Sequence, residues 1–210
     1  ERTRAVLIIS PHNPTGMVVQ YALPALTSLG LPVICDEVFA GFPYGVAAVP
    51  PLGALHPELA VFHLNGISKL FALPDLKLGW IALSGSASTQ FGERLELLND
   101  TFLGANSLTQ SMLPSLFAQG GEFIAQMQTQ IRHNLDAALQ AFAHNPHFVV
   151  QPPDGGYYLF PEVRGWNDEE ELVLHLLRQG VLVQGYVQWI IDDFKTAYRK
   201  CDFTDALDPM

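Results

Sequence analysis

The chain has 210 residues, 49% of them apolar and 15% charged, with a formal net charge of -10. That balance belongs to a chain that buries a sizeable core, not to a disordered tail. The negative charge argues against nucleic acid and against an anionic membrane surface, both of which need clustered Lys and Arg; an anionic ligand would have to be held by helix N-termini, amide nests or single cations.

Taken in chain order, the sequence begins at Glu1, directly before a strand-like run, and so reads as an excised or truncated segment. No signal peptide is read there, and no apolar run is long enough to span a bilayer. Cys35 lies inside the apolar run Leu31-Pro32-Val33-Ile34-Cys35, far from Cys201. Neither a disulfide framework nor a metal site is expected, and a reducing, cytoplasmic setting is the default.

Four short apolar runs, residues 5–9, 32–36, 60–65 and 78–83, predict buried strands. The first three are apolar nearly throughout, as in strands of a largely parallel sheet covered on both faces. Between them lie helical stretches, for example residues 18–29, and helical periodicity dominates residues 86–145, with helices predicted at 90–99, 107–117 and 122–142. The character changes at Asn145-Pro146. Residues 147–151, the turn Pro152-Pro153-Asp154-Gly155-Gly156 and residues 157–161 read as strand, turn, strand, followed by a polar helix at 167–178 and a strand at 181–184. This divides the chain into residues 1–145, residues 146–186 as the start of a smaller α+β domain, and a tail at 187–210.

Three constellations stand at the carboxyl ends of the first three strands, where ligands bind in open α/β sheets. Ser10-Pro11-His12-Asn13-Pro14-Thr15-Gly16 is by itself a turn. Cys35-Asp36-Glu37-Val38-Phe39 closes a buried strand with two carboxylates, read either as a solvated strand end or as an ionised Asp that holds a protonated ring nitrogen. Asn65-Gly66-Ile67-Ser68-Lys69, followed by Leu73-Pro74-Asp75-Leu76-Lys77-Leu78-Gly79-Trp80, places a lysine between an apolar strand and an apolar loop. Such a lysine is either a surface side chain reaching out of a turn or a Schiff-base lysine activated by desolvation.

In order and spacing, these motifs resemble the class I/II aminotransferases of the fold-type I pyridoxal-phosphate superfamily, strongly over residues 5–80 and weakly through Gly155-Gly156-Tyr157-Tyr158-Leu159-Phe160. The resemblance implies a three-layer α/β/α large domain with a mostly parallel sheet and a partial small α+β domain. It implies pyridoxal 5′-phosphate as cofactor, an amino acid and a 2-oxo acid as substrates, and a homodimer. Lys69 would bind the cofactor covalently and move the proton at the substrate α-carbon. Asp36 would pair with the pyridinium nitrogen, Asn13 with the phenolate oxygen, and Lys77 with the phosphate, helped by Ser68.

The chain departs from the family pattern at Phe39, where most members carry a Tyr, and at Gly66, often a phosphate-binding Ser. No upstream glycine-rich phosphate loop is included, and Arg199 lacks the context of the family's carboxylate-binding Arg. Three other readings share some of these features: a carbon–sulfur lyase with the same cofactor, the effector domain of a transcription regulator, and an interaction protein with a vestigial site.

Overall fold

The computed structural model describes residues 2–102, 104–165 and 168–178; the strand expected at 181–184, Arg199, Cys201 and the tail lie outside the described residues. The chain divides into two compact units, Glu1–Gly165 and Trp166–Met210.

In the first unit the apolar runs become strands because β-branched residues fit a pleated, buried surface. Elements follow in the order β1 (Val6–Ile9), α1 (Pro24–Leu29), β2 (Val33–Asp36), α2 (Leu52–Leu55), β3 (Val61–Gly66), α3 (Ile67–Leu70), a 3-10 turn (Pro74–Leu76), β4 (Gly79–Ser84), α4 (Ala87–Thr101), α5 (Ser107–Gln119) and α6 (Gly121–Ala143). The sheet has the order β1-β2-β3-β4. Its first three strands are parallel, with Ile9 opposite Asp36 and Asp36 opposite Leu64, so their carboxyl ends lie side by side. β4 runs antiparallel to β3. The short α3 and the 3-10 turn between them cannot make the crossover that a parallel partner requires.

α1 and α2 cover one face of the sheet, where Leu26, Leu52 and Leu59 pack with Val33, Cys35 and Val61. The opposite face carries α4, whose Phe91 ring meets Phe62 at 5.2 Å. This is an α/β/α arrangement with a mostly parallel sheet. Coverage of the two faces is unequal, contrary to the sequence expectation: Val33, Cys35 and Val61 are fully buried, whereas Leu7 is 65% and Ile81 48% exposed on the second face. A second cluster, built on Ile67, Phe71 and Leu78 with Leu113, Leu116 and Ile124, ties α3 to α5 and α6.

Two expectations are corrected. The helix read over residues 18–29 begins only at Pro24, since a residue before proline is pushed out of helical angles; Leu23 is extended at φ -104, ψ 100. The strand read at 157–161 is absent. β5 (Phe148–Val149) pairs instead with β6 (Glu162–Val163). Tyr157 and Tyr158 turn their rings edge-on to Phe39 at 5.0 and 5.1 Å, so aromatic burial wins over ladder pairing.

The turn before these tyrosines is stitched to the turn after β1. The amides of Asp154 and Gly155 both donate to the Gly16 carbonyl at 3.0 Å, and Gly156 N–H donates to Phe42 O at 2.8 Å. In the second unit the described residues form α7 (Glu169–Arg178), N-capped by Asp168, whose Oδ1 accepts from the Glu170 and Glu171 amides.

Candidate active site

β3 passes directly into α3, and the apolar residues of that junction decide where its polar ones go. Ile67 and Phe71 are buried at 0% and 4% exposure in the second cluster. Each such burial stabilises by about 1.5–3 kcal/mol, so the short helix is anchored on that side. Ser68 and Lys69, between the anchors, stay half-buried and line a cavity of about 350 Å³, with Val38, Asn65, Gly66, Lys77, Leu78 and Gly79. The volume falls within the range of small-molecule sites, roughly 300–1,000 Å³.

The two lysines reach this cavity by different means. Lys69 extends its Nζ over the Phe39 ring, 5.8 Å from the centroid, within cation–π range. Lys77 sits in a left-handed conformation, φ 50 and ψ 50, at the end of the 3-10 turn. A non-glycine residue there costs roughly 1–2 kcal/mol, and such strain gathers at functional positions. Gly66 leaves no room for the serine found in the resembling family: an added Cβ would lie 2.8 Å from Leu78 O and 3.1 Å from Gly79 Cα.

Asp36 ends β2, where its Oδ1 accepts from Val38 N–H at 3.1 Å and its carbonyl accepts from Ser10 N–H at 3.0 Å. Asn13 is in the neighbouring turn, closed by Gly16 N–H donating to His12 O at 2.7 Å, with cis peptide bonds before Pro11 and Pro14. Thus Lys69, Ser68 and Lys77 line one cavity, and Asp36 and Asn13 stand at adjacent strand ends without lining it. Among the described residues no group of three or more His, Cys, Asp and Glu side chains could hold a metal ion.

Sequence reasoning passed over several neighbours. Asn65 lines the cavity, and its Nδ2 donates to Glu37 O at 3.1 Å. Glu37, 8% exposed, accepts through Oε1 from Leu52 N–H and pairs with His63 Nδ1, both at 3.0 Å. Burial pushes the Glu37 carboxyl up, but the hydrogen bonds from His63 and the Leu52 amide outweigh it and hold the group below its ordinary range. Burial first, and the Glu37 charge second, push the Cys35 thiol well up, so this cysteine is an inert core residue. The signal for the Glu37–His63 pair was the period-2 alternation that puts Cys35 with Glu37, and His63 with Asn65, on shared faces.

The family model for aminotransferase class I and II matches residues 1–190. The glutamate-pyruvate aminotransferase AlaA of Haemophilus influenzae is 30% identical over 194 residues, covering 85% of this chain and 47% of that protein. An aspartate aminotransferase of Geobacillus stearothermophilus is 27% identical, covering 94% of this chain and 53% of its own. Among solved structures, an aminotransferase from Escherichia coli superposes with a TM-score of 0.72 at 26% identity, over 85% of this chain and 47% of that one. An alanine aminotransferase from Pyrococcus furiosus gives 0.73 at 23% identity, over 84% and 47%. The chain spans about half the length of the curated relatives it matches.

Proposed function

The chain belongs to the class I and II aminotransferases, and from that membership we propose that its cavity binds pyridoxal 5′-phosphate on Lys69 for amino-group transfer between an amino acid and a 2-oxo acid. The observation that carries this reading is the convergence of Lys69, Ser68 and Lys77 on one cavity at the carboxyl ends of the strands. A primary amine, a hydroxyl and a second cation in about 350 Å³ suit an aldehyde that carries a phosphate. The proteins compared above carry aminotransferase names, which favours transfer over the lyase and regulator readings.

When bound, pyridoxal phosphate supplies an electron sink for charge developing at the substrate α-carbon. Lys69 would hold it covalently through its amine, and that amine would serve as the general base and acid that takes and returns the substrate α-proton. Lys77 holds the phosphate as a point charge, without the fork an arginine would offer, and Ser68 adds a hydroxyl donor. Asp36 keeps the ring nitrogen protonated, and Asn13 donates to the ring oxygen. The complete protein acts as a homodimer in the cytoplasm, with residues 1–145 in its cofactor-binding domain and 146–186 in its smaller domain. No helix among the described residues is long and apolar enough to cross a membrane.

Mass spectrometry after incubation with pyridoxal phosphate and borohydride reduction tests the reading. A reduced adduct on Lys69, absent from Lys69→Ala, is the expected result. A folded chain that gives no adduct, or one on a different lysine, would overturn it.

A further inference from the structure

A buried polar chain crosses the sheet beside the cavity and takes no part in the chemistry assigned above. Ser84 on β4 lies with its Oγ 2.8 Å from His63 Nε2 on β3, and His63 Nδ1 lies 3.0 Å from Glu37 Oε1, immediately beyond β2. The same Glu37 oxygen accepts the Leu52 amide at the start of α2 at 3.0 Å. His63 and Glu37 are 9% and 8% exposed, and among the described residues no buried side-chain polar atom lacks a partner. Gly53 closes the chain off: a Cβ there would lie 2.1 Å from Ser84 Oγ and 2.7 Å from His63 Nε2, so α2 packs its backbone directly on the pair.

The far end of this chain reaches the cavity through main-chain atoms. Glu37 N–H donates to Leu64 O at 2.9 Å, and Glu37 O accepts from the Asn65 side-chain amide at 3.1 Å. Asn65 in turn accepts the Gly66 amide on its Oδ1 at 2.7 Å. Asn65 and Gly66 line the cavity, and the chain passes from them through Ile67 and Ser68 to Lys69. Glu37 is thus held at its carboxylate by His63 and Leu52 and at its backbone by β3, which leaves its peptide little freedom to tilt.

We propose that His63 is a positioning residue for Lys69: clamped between Ser84 and Glu37, it fixes the Glu37 peptide, which orients Asn65 and Gly66 and through them the segment that presents the lysine amine. A buried pair of this kind is weak evidence for stability by itself, since apolar replacements of equal volume are often neutral or stabilising. What it supplies is direction. A carboxylate bonded to an imidazole whose other nitrogen is also bonded has a single orientation, and fixed neighbours are what hold a reacting group in place. Facing His63 are the Cys35 thiol from β2, the Glu37 carboxylate just beyond it, the Ser84 hydroxyl from β4 and the Gly53 backbone of α2.

The inference rests on the reading of the cavity as a lysine-adduct site, and the test separates the two. Nuclear magnetic resonance of the whole chain, isotope-labelled, follows the Asn65 side-chain amide and the Gly66 amide in wild type, Ser84→Ala and His63→Gln. The same samples then receive pyridoxal phosphate, and the rate of lysine adduct formation is read by absorbance. The expected result has two parts. Both amide signals move in the two variants relative to wild type, and adduct formation slows about tenfold or more, as misplacing a reacting group by about 1 Å can do. Ser84→Ala removes only the distal hydroxyl and so decides the matter if His63→Gln does not fold. Amide signals that stay fixed in a folded variant would overturn the positioning role. Variants that fold and form the adduct at the wild-type rate would overturn it as well. A wild-type chain that forms no lysine adduct refutes the cofactor reading, and the amide signals alone still decide the relay.

Discussion

Position 39 carries a benzyl ring, 4% exposed, between the edges of Tyr157 and Tyr158, with the Lys69 ammonium over its face. If pyridoxal phosphate binds on Lys69 as proposed, a phenol at this position would offer its ring oxygen a donor, and a donor to an anionic oxygen favours its ionised form. Phe39→Tyr is therefore expected to lower the pH midpoint of the lysine-bound cofactor's absorbance change. A titration that shows no downward shift refutes this account of Phe39. Glu37 gives a second residue-scale test. Its folded carboxyl is held below its ordinary range, so the unfolded chain protonates first on acidification. The stability it contributes is complete above the ordinary carboxylate range and is lost as pH falls through it towards the lower folded value. Glu37→Gln should flatten that acid limb in denaturant titrations and lower stability at neutral pH by about 1–3 kcal/mol; an unchanged acid limb would show that the pair contributes nothing. That Lys69, Asp36 and Asn13 stand just past or at the ends of the first three strands was legible because their motifs are local in sequence. The Ser84–His63–Glu37 chain was not, because it depends on the register of three strands, which no single motif encodes.

Strands and long helices were legible for a related reason: their periodicity outlasts errors at their ends. The failures fell where a side chain from elsewhere takes over a backbone group. Leu23 N–H donates to the buried His56 Nε2 at 2.8 Å, a partner that no helix would leave free for it. Residues 157–161 forgo a strand because Phe39 and Phe42 offer their rings an apolar seat. The 152–156 turn is held in the same way, since Asp154 Oδ2 accepts Val18 N–H at 3.1 Å and Asp154 O accepts the Tyr44 amide at 2.8 Å. Asp154→Ala keeps the backbone bonds and removes the side-chain one. It should destabilise the chain by about 1 kcal/mol, the net worth of such a bond, with faster hydrogen exchange at Val18. Unchanged exchange at that amide would mean the side chain does not fasten the two turns together.

At the scale of the molecule, two opposing features decide how the chain behaves in solution. A net charge of -10 repels copies of itself. Against this, Leu97, Leu98 and Phe102 at the end of α4 and Leu108, Met112 and Phe117 in and around α5 are 44–75% exposed. Large apolar side chains left exposed on consecutive helices can serve as a contact surface. The repulsion acts over a Debye length of about 30 Å at 0.01 M salt and about 10 Å at 0.1 M, whereas apolar contact does not weaken with added salt. Self-association should therefore strengthen as salt is raised from 0.01 to about 0.15 M, opposite to an interface built on ion pairs. Sedimentation equilibrium across that range measures it. The pair of substitutions Leu97→Glu and Phe102→Glu, which sit outside the cavity, should return the chain to a monomer with the lysine adduct retained. A wild-type chain that stays monomeric at every salt concentration would show that these side chains do not bring copies together, and association that weakens with salt would assign it to charge instead.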